Sequence, residues 1–230
     1  MSEPATAAIP SWDSYASRWA RLHGGYDPRR ASPFVRGWLR LAYGLSRLLA
    51  PLPVSPNAVT AVGLALSAGV PLVAARGGVW PVAGALLLVG AALADTVDGA
   101  LAVITDRASR LGQLYDSVAD RLAEACWLAG LWLLGAPSLL VVLCGAVAWL
   151  HEYVRARAIP AGMADIGTVT VAERPTRILI AAFGLLLCGV GGLISPELAV
   201  GTATAATAIW AILGAVALGQ LIGAVHHALR

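Results

Sequence analysis

The chain has 230 residues, 58% of them hydrophobic and only 13% charged, with a formal net charge of +3 and a mean hydropathy of +0.75. That composition excludes a secreted disulfide scaffold, a disordered tail and a nucleic-acid reader, and it makes a lipid bilayer the natural solvent. A pI near 9.0, carried by sixteen basic residues that are all arginine, suits anionic lipid or planar, bidentate contact with phosphates, although a GC-rich genome gives the same bias. Cys126, Cys144 and Cys188 sit in apolar stretches without C-x-x-C spacing and are read as packing residues.

Residues 1–56 form the first predicted segment, which holds seven arginines and no apolar run of signal-peptide length. Trp12 to Tyr26 predicts a short extra-membrane helix ending in a turn at Gly24, Gly25 and Pro28. Pro33 to Ala50 places Phe34, Trp38, Leu41, Leu45, Leu48 and Leu49 on one side and Arg36, Arg40 and Arg47 on another, the pattern of an amphipathic helix lying in the membrane interface.

Residues 57–230 are expected to form one membrane domain. Six segments approach the length that crosses a hydrocarbon core: 57–75, 79–103, 111–135, 137–157, 176–193 and 197–228. The last is longer than a span needs and should tilt or project. The fold class is therefore an all-α integral membrane protein of six transmembrane helices behind an interfacial helix. With both termini in the cytoplasm, fifteen arginines fall inside and Arg76 alone falls outside, as the positive-inside rule requires. Gly84, Gly90, Gly145 and Gly214 permit close helix packing within one chain or across a homodimer. No internal repeat, Rossmann signature or P-loop is present.

Five of the thirteen acidic residues fall within 26 positions: Asp95, Asp98, Asp106, Asp116 and Asp120. Asp95 and Asp98 are three apart, and Asp116 and Asp120 four apart, so each pair shares one helix face. Asp95 lies ~24 Å along its span at about 1.5 Å per residue, which brings both pairs to the arginine-rich, cytoplasmic boundary. Four carboxylates held together need compensating cations, and hard oxygen donors suit Mg²⁺ or Mn²⁺. Gly99 and Gly112 remove side chains where a bulky ligand would approach. Boundary charges paired with Arg107, Arg110 and Arg121, or a small transporter or scaffold with a boundary divalent-cation site, are the alternative readings of the same acids.

The run Asp95-Thr-Val-Asp98-Gly99-Ala-Leu-Ala102, followed by Gly112, Asp116 and Asp120, resembles the signature D-x-x-D-G-x-x-A-R, eight residues, G-x-x-x-D-x-x-x-D of the CDP-alcohol phosphotransferase family. The resemblance implies that Asp95, Asp98 and Asp116 ligate a pair of divalent ions, Mg²⁺ or Mn²⁺, that grips the diphosphate of a CDP-linked donor such as CDP-diacylglycerol. It implies that Asp120 completes the metal site and takes the proton from the acceptor hydroxyl, with CMP as leaving group. Gly99, Ala102 and Gly112 belong to the donor site on this reading. Val103 departs from the pattern, where the family carries arginine, and Arg107 or Arg110 would substitute for it at the donor. Pro56-Asn57-Ala-Val-Thr60 resembles the family's Pro-Asn-x-x-Thr element, which assigns Asn57 and Thr60 to the nucleotide site, and it is also an ordinary helix start.

Tyr153-Val-Arg155-Ala-Arg157-Ala and Glu173-Arg174-Pro175-Thr-Arg177 resemble elements of the phosphatidylinositol-phosphate synthase branch, which implies acceptor-phosphate binding by Arg155, Arg157 and Arg174. The same arginines equally satisfy the positive-inside rule, and Arg157 a helix C-terminus. Ile159 stands where that branch usually has glutamate, and Gln220-Leu221 where it usually has Gln-Arg, so the anionic alcohol acceptor is inositol phosphate, glycerol 3-phosphate or phosphatidylglycerol. His151, Glu152, His226 and His227 are read as interfacial residues without a part in the chemistry.

Overall fold

The computed structural model describes residues 9–22, 25–163 and 170–230. The turn expected at Gly24 and the centre of the loop expected across 158–175 lie outside the described residues. Within them the chain is helical: α1 (Trp12–Leu22), α2 (Pro33–Leu49), α3 (Pro56–Ala74), α4 (Trp80–Ile104), α5 (Arg110–Leu133), α6 (Ser138–Ala158), α7 (Arg174–Gly192) and α8 (Pro196–Ala228), with a 3-10 turn at Pro28–Arg30. Three of these helices begin at a Ser-Pro pair. The Ser32 hydroxyl accepts from Val35 N, Ser55 from Ala58 N and Ser195 from Leu198 N. The serine satisfies an amide that has no partner within the helix, while the proline fixes φ at the first helical position.

Each of the six expected spans is one helix, with ends within two residues of the expectation. Five of them, α3, α4, α6, α7 and α8, are long and apolar enough to cross a membrane. The sixth, α5, has the length but carries Arg110, Asp116, Asp120, Arg121 and Glu124, which lowers its average hydropathy. Beyond Glu124 it is apolar, and Trp127 and Leu131 are wholly buried there.

Two compact units make up the chain: Met1–Gly63 with Ala92–Ala119, and Leu64–Ala91 with Asp120–Arg230. In the first unit, Ala42, Val59, Val97 and Leu101 form one core cluster, and Tyr15, Tyr43, Ala100, Val103 and Ile104 form another. Helix α2 buries Leu39, Ala42, Tyr43 and Ser46 and exposes Phe34, Leu41 and Leu48. The apolar side expected there is divided: Phe34, Leu41 and Leu48 form a surface stripe, Leu45 and Leu49 pack against the first cluster, and the Trp38 indole donates to Thr96 Oγ1 at 2.9 Å, while the most buried face includes a serine. Ser46 is accommodated because its hydroxyl donates to Ala42 O and Val97 O.

The second unit has a core around Trp127, Leu131, Leu185 and Trp210, and the Trp127 indole donates to Ser67 Oγ at 3.2 Å. Helices α7 and α8 approach closely where Gly184 faces Ala206. A β-carbon at Gly184 would lie 2.7 Å from the Ala206 methyl, and one at Gly189 would lie 2.9 Å from the amide nitrogen of Val82. Small residues at such crossings let helix backbones touch.

Candidate active site

In the first unit, α3, α4 and α5 bring Asp95, Asp98 and Asp116 together with the first turn of α3. Asp95 on α4 and Asp116 on α5 hold carboxylate oxygens within 4.8 Å of each other. Asp120 follows Asp116 by one turn of the same helix, at the start of the second unit. Asp98 is more deeply placed, 5% exposed, and accepts a hydrogen bond from the Thr60 hydroxyl of α3. That hydroxyl also lies 3.2 Å from Pro56 O, so the first turn of α3 fixes the acid through Thr60.

The other expected donor residue of α3 is equally well aimed. A β-carbon at Gly112 would meet Asn57 Oδ1 at 3.3 Å and Ser109 Oγ at 3.1 Å, so Asn57 lies directly against the glycine that opens the second half of the motif. Thr60 with Asp98 and Asn57 with Gly112 thus tie the Pro-Asn-x-x-Thr turn to both halves of the acidic motif. Ala102 is half-buried, whereas Arg107 and Arg110 are exposed at the α4–α5 connection. Asp106 there takes a positive φ of 55°, which a short polar side chain tolerates in a tight turn. Two carboxylates at this range, backed by a hydroxyl-bonded third, fit a hard divalent cation.

The second unit carries a network that sequence reasoning did not find. Arg177 of α7, 2% exposed, meets Glu124 of α5 at 3.2 Å and Glu152 of α6 at 2.6 Å. Arg121 reaches the same two acids at 3.2 and 3.4 Å. Glu124 is wholly buried, and a carboxylate so placed is tolerable only because two guanidiniums meet it. Its position, four residues after Asp120, was a visible continuation of the Asp116, Asp120 spacing. Glu152 is bound by both arginines, and His151 is 2% exposed with Nε2 3.2 Å from Thr170 Oγ1.

The expected acceptor arginines sit at the margin of this network. Arg174 Nη2 pairs with Asp120 Oδ1 at 2.6 Å, and Arg155 pairs with Glu173, while Arg157 is exposed. Burial alone would raise the Glu173 pKa, but the Thr170 amide and hydroxyl and the Arg155 guanidinium outweigh it and hold the carboxyl below its ordinary value. Gln220, where the resembling branch continues with arginine, accepts from Val171 N through Oε1 at 3.1 Å. It ties Val171, just ahead of α7, to α8.

Residues 53–219 match the family model of CDP-alcohol phosphatidyltransferase. The chain belongs to that family. A phosphatidylinositol phosphate synthase of Corynebacterium glutamicum is 30% identical over 158 residues, which cover 64% of this chain and 69% of the relative. An archaetidylinositol phosphate synthase of Pyrococcus horikoshii is 34% identical over 140 residues, covering 59% and 71%. Among solved structures, Mycobacterium tuberculosis phosphatidylinositol phosphate synthase with CDP-DAG bound matches with a TM-score of 0.65 and 24% identity, over 81% of this chain and 94% of that one. The same enzyme with manganese and citrate matches with a TM-score of 0.66 and 23% identity, over 80% and 88%. At those identities the structural likeness establishes the fold, that of an all-helical integral membrane protein.

In this phosphatidyltransferase, a metal-dependent transferase by its family, the departure at position 103 has a structural reason. Val103 is 7% exposed and packs with Tyr15, Tyr43, Ala100 and Ile104, against half-buried Trp12, Trp19 and Ala50. An arginine there would carry its charge into an aromatic and apolar cluster.

Proposed function

We propose that this phosphatidyltransferase moves a phosphatidyl group from CDP-diacylglycerol to the hydroxyl of an inositol phosphate, releasing CMP, as a step of phospholipid synthesis. The observation that carries the acceptor is the pair of relatives above: one is named for a phosphatidyl and the other for an archaetidyl product, and inositol phosphate is common to both names. Neither is named for glycerol 3-phosphate or phosphatidylglycerol.

Asp95, Asp98, Asp116 and Asp120 would hold two divalent ions, Mg²⁺ or Mn²⁺, whose charge offsets that of the donor diphosphate during phosphoryl transfer. The roles of the protein side chains follow from their placement. Thr60 holds Asp98 in one rotamer, and Asn57 lies over Gly112, so the donor nucleotide meets a preorganised wall of small and amide groups. Ala102 keeps the α4 side of that wall low. Arg107 and Arg110, exposed just beyond it, replace the cation that Val103 does not supply. The acceptor oxygen bonds to the phosphorus that carries the diacylglycerol, the bond from that phosphorus to the CMP oxygen breaks, and CMP departs with the bonding electrons. The hydroxyl proton passes to Asp120, whose carboxylate Arg174 orients. Arg155, Arg157 and Arg174 attract the acceptor phosphate, with Glu173 and Asp120 setting the first and last of them in place.

On this reading residues 57–230 are the catalytic membrane domain, and residues 1–56 are an N-terminal segment whose α2 lies on the cell membrane surface. The exposed stripe of Phe34, Leu41 and Leu48 supports that position, and the arginine distribution supports cytoplasmic termini and a cytoplasmic site. The test is an acceptor screen with the purified full chain, radiolabelled CDP-diacylglycerol and Mg²⁺ or Mn²⁺, offering inositol phosphate, glycerol 3-phosphate, phosphatidylglycerol or serine. CMP release with inositol phosphate alone, abolished in Asp116→Asn, is expected. Release with another acceptor and none with inositol phosphate refutes the acceptor assignment. Absence of turnover with every acceptor refutes the transferase reading in favour of a boundary cation site.

A further inference from the structure

Helix α1 precedes the residues matched by the family model, which begin at 53, yet it is built into the end of α4 that bears the acidic motif. Tyr15 is wholly buried and packs with Ala100, Val103 and Ile104 of α4. Its ring lies 5.0 Å from that of Tyr43 on α2 and 5.8 Å from that of Trp19, and Trp12 stands edge-on to Tyr43 at 5.5 Å. Arg40 covers the Trp12 ring at 5.4 Å. Aromatic contacts of this kind and a cation over an indole fix a helix in one orientation. Val103 is what lets α1 sit there, because a valine completes the apolar cluster where a guanidinium would break it.

That orientation brings Trp19 to the motif itself. A β-carbon at Gly99, the residue next to Asp98, would meet Cζ3 of the half-buried Trp19 at 3.9 Å. Carbon atoms in contact need about 3.5–4.0 Å, so no aromatic ring fits between Gly99 and the indole. The space beside Gly99 is closed on that side by Trp19 itself. A flat ligand lying over the motif at Gly99 therefore borders on the indole.

We infer that α1 is a cap on the donor site of this enzyme and that the Trp19 indole is a donor-binding residue, the wall against which the pyrimidine ring of the cytidine donor packs. The inference rests on the donor reading given under Proposed function. Base packing on an aromatic side chain is sequence-tolerant and strong enough to matter: truncation costs about 1–3 kcal/mol per base, roughly fivefold to a hundredfold in affinity.

The full-length protein in detergent, the Mn²⁺ ion and CDP are sufficient to test it. Binding of Mn²⁺ alone reports the carboxylates, and binding of CDP in the presence of saturating Mn²⁺ reports the nucleotide pocket. For Trp19→Ala the expected result is a loss of CDP affinity of about tenfold or more, with Mn²⁺ affinity within about twofold of wild type. Trp19→Phe, which keeps an aromatic face, should retain CDP affinity within about threefold. If Trp19→Ala binds CDP as wild type does, the proposal is overturned. A parallel loss of Mn²⁺ and CDP affinity, or an equal loss in Trp19→Phe and Trp19→Ala, also overturns it, because α1 would then only brace α4. Wild-type protein that binds Mn²⁺ but not CDP refutes the donor reading, and the role of Trp19 falls with it.

Discussion

Replacing Arg177 by methionine keeps the length and aliphatic bulk of the side chain and removes its charge. In the native protein Arg177 and Arg121 together neutralise Glu124 and Glu152, at 2.6 to 3.4 Å. In Arg177→Met, two carboxylates share the single guanidinium of Arg121, and one of them, Glu124, has no access to water. Breaking a buried pair from one side costs about 3–5 kcal/mol, because a charge is left inside without adequate compensation. For a domain of this size each kcal/mol lowers Tm by about 2–4 °C, so the expected drop is about 6–20 °C. Thermal unfolding in one detergent, followed by circular dichroism, measures it. Arg29→Met is the control. Its pairing with Asp27 is exposed, and loss of an exposed pair changes stability by about 1 kcal/mol at most. The double variant Glu124→Gln with Arg177→Met removes both charges and should be more stable than the sum of the single losses, by about 0.5–3 kcal/mol of coupling. A Tm for Arg177→Met within about 2 °C of wild type, or strict additivity in the cycle, refutes the view that this network is a mutually neutralised buried unit.

Three further outcomes are expected. Thr60→Val removes the hydroxyl that holds Asp98 without changing side-chain volume much, and loss of such a supporting bond should raise the Mn²⁺ concentration for half-maximal CMP release by about 10–100-fold, whereas Thr60→Ser should stay near wild type. Gly112→Ala pushes a methyl against Asn57 Oδ1 and Ser109 Oγ, and displacement costing about 1 kcal/mol should appear as a roughly fivefold rise in KM for CDP-diacylglycerol in steady-state assays. Glu173 has a folded pKa below its ordinary value of 4.5, so its contribution to stability is present above that value and disappears as pH falls through the lower, folded one. The decline of Tm with acid below about pH 4.5 should therefore be shallower in Glu173→Gln than in wild type.

Local chemistry made the helices legible. Ser32-Pro33, Ser55-Pro56 and Ser195-Pro196 mark starts on the page, and glycine-rich or proline-bearing breaks mark ends, because these residues act on the backbone within a turn of their own position. The i, i+3 spacing of Asp95 and Asp98 likewise put both acids on one side of α4. What periodicity could not supply was the identity of partners on other helices. Phe34, Leu41 and Leu48 share a helix side with other apolar residues, yet the packed face of α2 centres on Ala42, Tyr43 and Ser46, since small residues admit close approach and the serine finds carbonyls on α2 and α4. Glu152 looked like a boundary charge because nothing in its neighbourhood along the chain announces Arg177, twenty-five positions later. Val103 looked like a defect in a motif until Tyr15, from a segment outside the matched family region, was seen against it.

The tight approaches of α7 to α8 and to α4 carry a consequence for the chain's history. At Gly184 and Gly189 even a methyl has nowhere to go, and at Gly189 the obstacle is main chain, which no rotamer change can move aside. Surface leucines such as Leu86, Leu139 and Leu187 meet no such constraint and can exchange with other hydrocarbons at little loss. Codon-by-codon saturation of the gene would thus return an uneven record: near-total intolerance at two glycines with no chemistry of their own, beside broad drift among the large apolar residues that give the chain its composition.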